Sequence, residues 1–184
     1  MDHKEISLYL EHLSKVYSEL GGDFLEVAIC GGAALNLLDY VRRVTKDVDV
    51  ISPEKLPKKF KDAIKITADY FGLKQDWMNQ GPVDISKMGL PQGFYLRCKK
   101  LQFHPNLVFL ITARLDQIHF KLYASVDRGG YHLQDLMILK PTDEELTMAA
   151  NWCFSHDVSA AFKYLMKDFL EKNGWKNVAS RVEK

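Results

Sequence analysis

Hydrophobic residues recur along the chain first at helical spacing and then in short solid runs. Ile6, Leu8, Leu10, Leu13, Val16, Tyr17 and Leu20 follow a period near 3.6, which predicts an amphipathic helix over 5–20 that Gly21-Gly22 closes. Residues 24–30, FLEVAIC, form a short apolar run suited to a buried strand. Gly31-Gly32 follows, and 33–40 reads as a short helix. Residues 47–51, DVDVI, alternate polar and apolar, which is a strand pattern. A helix is expected over 54–71, with Phe60, Ile64, Ala68 and Phe71 on its apolar side and lysines on its solvated face. The stretch from Gly72 to Gly93 is turn-rich and supports no assignment. Strands are expected at 94–98 and 107–113. From Leu115 the period is helical, with helices at 115–127, 131–139, 143–154 and 157–173. Gly129-Gly130 and Lys140-Pro141-Thr142 separate them, and Thr142 with Glu145 makes a capping box. The expected architecture is an α/β core over 1–114 and a helical part over 115–184 packed on it.

Composition removes several classes of function. The 184 residues are 47% hydrophobic and 27% charged, with a formal net charge of +1. That is enough apolar material for an ordinary core, and neither disorder nor a strongly basic nucleic-acid binder is indicated. Cys30, Cys98 and Cys153 are odd in number and far apart. They argue against a disulfide framework or a cysteine zinc site and suit reduced thiols in a cytoplasmic protein. The start, Met-Asp-His-Lys-Glu, lacks the pattern of a secretory signal, and no run approaches eighteen apolar residues, so no membrane span is expected. The six histidines show no metal-ligand spacing.

The chemistry concentrates in Cys30 to Ile51. Asp47 and Asp49 are two apart on a predicted strand, so their side chains leave one face while Val48 and Val50 turn into the core. Carboxylates about 6–7 Å apart at Cα, from the strand rise, can share hard divalent cations that also bridge to phosphates. Gly31-Gly32 sits between a strand and a helix start, where missing side chains and free N–H groups admit a phosphate. Arg43 and Thr45 stand just before the acids, placed to contact a nucleotide or to order the loop. Each feature also has a plainer reading: a tight turn for the glycines, a surface charge for Arg43, a turn hydroxyl for Thr45, packing for Trp77.

The pattern G-G-x-A followed by R-x-T-x-D-x-D, carried by Gly31, Gly32, Ala34, Arg43, Thr45, Asp47 and Asp49, resembles the nucleotidyltransferases of the DNA polymerase beta type. It is most similar to the minimal branch containing AbiEii-type toxins and DUF6036 proteins. Asp76-Trp77-Met78-Asn79 and the helical segment 115–139 resemble further DUF6036 segments, so the likeness spans roughly 24–154. The resemblance implies a nucleotidyltransferase-like mixed sheet with flanking helices and a helical C-terminal part. It implies transfer of a nucleoside monophosphate from a nucleoside triphosphate to an acceptor hydroxyl, with Mg²⁺ (or Mn²⁺) on Asp47 and Asp49 and the triphosphate seated on Gly31 and Gly32. Lys121 and Asp135 are implied to join the same site. The acceptor could be RNA, protein or a small molecule. The alternatives are a degenerate nucleotide- or partner-binding module, and a toxin acting on RNA with an antitoxin protein as partner. Strand 107–113 carries no acid where many members have a third carboxylate, which leaves Asp84, Asp116 and Asp135 as substitutes, and Gly32 stands where many have serine.

Overall fold

The computed structural model describes residues 1–182. It divides into two compact units, Met1–Ala113 and a second from Arg114 onward. The first begins with α1 (His3–Glu19), whose start is fixed by a capping box: Asp2 accepts from the Glu5 N–H at 3.0 Å and Glu5 accepts from the Asp2 N–H at 2.9 Å. Next come β1 (Leu25–Cys30), α2 (Gly31–Leu37), β2 (Val48–Ser52), α3 (Lys58–Phe71), β3 (Met78–Asn79), α4 (Val83–Met88), α5 (Phe94–Arg97), β4 (Lys99–His104) and β5 (Leu107–Ile111). The strands form one mixed sheet in the order β3-β2-β1-β5-β4. β1 runs parallel to β5 and antiparallel to β2, β2 is parallel to β3, and β4 is antiparallel to β5.

Helices α1 and α3 pack through one shared apolar cluster that holds Leu10, Leu13 and Phe60 against Val27, Ile29, Val48, Val50 and Phe109. Each such side chain stabilises the fold by about 1.5–3 kcal/mol when fully buried. Asp49, on the alternate positions of β2, belongs to the other face of the sheet. The core thus determines which face of β2 carries Asp49.

Several expected boundaries move for local reasons. α3 starts at Lys58 instead of 54 because Pro57, at ψ 150°, is its cap and disfavours helical backbone at the residue before it. α2 starts at Gly31 and stops at Leu37, before Asp39 at φ 60°. The strand expected at 94–98 is instead the short helix α5. The turn Pro91-Gln92-Gly93 starts it, with the Phe94 N–H donating to the Pro91 carbonyl at 3.0 Å and Phe94 buried. The strand follows it, as β4. β4 has a polar, lysine-bearing edge and a partner on one side only, which hides its strand character in the sequence and blunts the edge against other chains.

The second unit comprises α6 (Arg114–Arg128), α7 (Tyr131–Ile138), α8 (Asp143–His156), α9 (Ala160–Lys172) and α10 (Lys176–Arg181). The expected Thr142–Glu145 capping box is formed; α10 had no counterpart in the sequence reading. Arg114 fastens the unit. Its guanidinium donates to the Leu139 carbonyl at 2.6 and 2.9 Å, to the Lys140 carbonyl at 2.8 Å and to Glu145 at 2.5 Å. Among the described residues no helix is long and apolar enough to cross a membrane, and the three cysteines are unbridged.

Candidate active site

The end of β1, the start of α2 and the first residues of β2 meet around Asp49. Cys30 is its antiparallel partner on one side and Asn79 its parallel partner on the other. Gly31 follows Cys30 with φ +68°, and a Cβ built there would stand 2.4 Å from Asp49 Oδ2. Two independent constraints therefore require glycine: the left-handed backbone and the closeness of the carboxylate. A Cβ at Gly81 would lie 3.9 Å from Asp49 Oδ1 and 3.0 Å from Asn79 Oδ1. Asp49 occupies space that Gly31 leaves open, whereas a Cβ at Gly81 would only touch it and would press on Asn79.

Asp47 lies one residue before β2 and, like Asp49, is half-buried. Its Oδ2 lies 3.4 Å from Asn79 Nδ2. The loop leading to it is held at three places. Buried Asn36 of α2 donates to the Arg43 carbonyl at 2.6 Å. Thr45 exchanges backbone hydrogen bonds with Met1, at 2.9 and 2.5 Å. The Thr45 hydroxyl donates to the Asp47 carbonyl at 3.1 Å. Thr45 and Arg43 also flank the second glycine: a Cβ at Gly32 would meet Thr45 Oγ1 at 3.0 Å and Arg43 Nη2 at 3.7 Å. Gly31, Gly32, Arg43, Thr45, Asp47 and Asp49 are thus brought together in the first unit.

Lys121 and Asp135 lie in the second unit, where they meet each other. Lys121 Nζ and Asp135 Oδ2 are 2.7 Å apart with side chains 6% and 1% exposed, and the ammonium also lies 5.7 Å from the Tyr131 ring centre. Of the substitutes for a third acid, Asp84 is an exposed α4 residue paired with Lys87 at 2.8 Å, and Asp116 is buried on α6. Among the described residues, no set of three or more acids, histidines or cysteines is arranged to hold a metal.

A family model described as a nucleotidyltransferase of unknown function, DUF6036, matches residues 9–172. The chain belongs to this family. No curated protein and no solved structure matches it. The DUF6036 match runs from α1 through α9, so it covers both the Asp47–Asp49 cluster and the Lys121–Asp135 pair.

A divalent cation fits the first cluster on chemical grounds. Asp47 and Asp49 would offer it two carboxylates, the hard oxygen ligands such an ion takes, beside the Asn79 amide. Mg²⁺ is commonly held by one or two carboxylates plus substrate phosphates. Asn79, Gly81 and Asn36 were not singled out as site residues from the sequence. Asn79 had a partial signal, since it ends the DUF6036-like segment Asp76–Asn79. In that segment Trp77 is a packing residue, 2% exposed with its indole N–H on the Ile64 carbonyl at 3.1 Å.

Proposed function

We propose that this DUF6036 protein transfers a nucleoside monophosphate from a nucleoside triphosphate to an acceptor hydroxyl, with Mg²⁺ or Mn²⁺ on Asp47 and Asp49. In the step, the acceptor hydroxyl oxygen bonds to the α-phosphorus and gives up its proton to solvent, while the bond from that phosphorus to the α–β bridging oxygen breaks and its electron pair leaves with pyrophosphate. The observation that carries the reading is the closeness of Asp49 to the Gly31 turn, with Gly32, Thr45 and Arg43 beside it. The cation would neutralise phosphate charge and polarise the reacting phosphorus. The chain's own part is positional. The Gly31-Gly32 turn lets backbone N–H groups approach the triphosphate, and Arg43 supplies a permanent cation with a planar donor fork. Asn36 and Thr45 keep the loop in register so that the site needs little reorganisation on binding.

Roles for Lys121 and Asp135 in transfer belong to the same proposal. Their buried pair also has structural work, so activity must be measured in a variant that remains folded.

The test is titration of each nucleoside triphosphate with and without Mg²⁺ into wild type and Asp49→Asn. Binding that needs Mg²⁺ and is lost in Asp49→Asn is expected; equal, metal-independent affinity in both proteins refutes the proposal. Incubation of labelled triphosphates in a lysate then names the acceptor class. A second reading rests on β5: its residues Leu107–Ile111 are all buried and apolar, so it supplies no acid. Metal-dependent binding without pyrophosphate release would make the protein a nucleotide-binding module.

A further inference from the structure

We infer that position 79 is the third corner of the cation site proposed for Asp47 and Asp49, filled by a neutral amide where β5 offers no acid; the inference rests on that proposal. The pairing of β2 with β3 sets Asn79 directly beside Asp49. The Asn79 amide is anchored at one end, its Oδ1 accepting from the Gly81 N–H at 2.8 Å. A backbone N–H requires an acceptor, so this contact settles which amide atom is oxygen. The nitrogen then faces Asp47 Oδ2 at 3.4 Å. The point where a Gly81 Cβ would stand is within 4 Å of both Asn79 Oδ1 and Asp49 Oδ1. One amide therefore borders both carboxylates, and the missing side chain at Gly81 keeps that space open.

The neutral group has a consequence for charge. Two carboxylates balance one dication. A third would leave surplus negative charge facing an incoming triphosphate, whereas an amide adds a dipole and a hydrogen bond without that repulsion. Partners of this kind orient the ligating carboxylates, and their loss commonly weakens metal binding 10–100-fold.

The experiment is titration of Mn²⁺ alone, followed by the electron paramagnetic resonance of the free ion, into wild type, Asn79→Asp, Asn79→Leu and Asp49→Asn. Asn79→Asp keeps the acceptor for Gly81 and adds a carboxylate at the site, so Mn²⁺ affinity is expected to rise about 10-fold. Asn79→Leu, which loses the amide, is expected to bind about 10-fold more weakly. A damaged fold cannot produce the tightening, which separates a place at the metal from a role in packing. Unchanged affinity in Asn79→Asp, with loss in Asp49→Asn, overturns the inference and leaves the proposed function standing. Wild-type affinity in Asp49→Asn overturns both.

Discussion

Gly31 and Gly32 are adjacent and differ in what they tolerate. At Gly31 the backbone is left-handed and a Cβ would collide with Asp49. Gly31→Ala is expected to cost roughly 1–3 kcal/mol in backbone strain alone, read by urea unfolding, and to displace Asp49 as well. At Gly32 the backbone lies outside the left-handed region and the neighbours are the Thr45 and Arg43 side chains. Gly32→Val should therefore lose triphosphate binding while unfolding at higher urea than Gly31→Ala; the reverse order would make Gly32 a packing residue. These glycines were legible because turn and motif fall in one short segment, Cys30 to Ile51. Asn79 was not, since its neighbour Asp49 is thirty residues away and the strand that joins them has two residues. No local period announces so short a strand.

Among the elements, those with a clean apolar period were legible: α1, β1, β5 and α6 to α9 lie within a few residues of their expected bounds. The failure at 94–104 has a local cause. Phe94-Tyr95-Leu96 looks like a strand by composition, yet the Pro91–Gly93 turn forces a helical turn, and the true strand hides behind Lys99-Lys100. On α6, periodicity alone misleads in another way, because Gln117 and Lys121 are buried. Lys121→Ala removes the cation 2.7 Å from Asp135 and should cost about 3–5 kcal/mol, while a paired Lys121→Met and Asp135→Leu variant should be near neutral. Among the described residues, Gln117 has no hydrogen-bond partner for either amide atom, so Gln117→Met should raise stability by about 1–3 kcal/mol. Denaturant midpoints check all three. A folded paired variant that still transfers at the wild-type rate would remove Lys121 and Asp135 from the proposed chemistry.

The whole molecule has an acid-sensitive point in the second unit. The Arg114 guanidinium, hydrogen-bonded to Glu145, holds that carboxyl below its usual range despite partial burial. Because the folded-state value is depressed, the contribution is present above the ordinary glutamate range and is lost as pH falls through the folded-state value. Stability should therefore decline as pH falls below the ordinary glutamate range, and Glu145→Gln should flatten that decline while lowering stability at neutral pH; parallel acid limbs would refute the assignment. The alternation along β2 sets a condition on assembly itself. Val48 and Val50 fill the core while Asp49 takes the other face. A pairing slip of one residue would exchange the two faces, burying a carboxylate and wetting two valines. A chain that mispaired β2 would lose its site and its core together, so hydrophobic packing proofreads the chemistry: molecules that pass the folding test carry the carboxylate on the correct side.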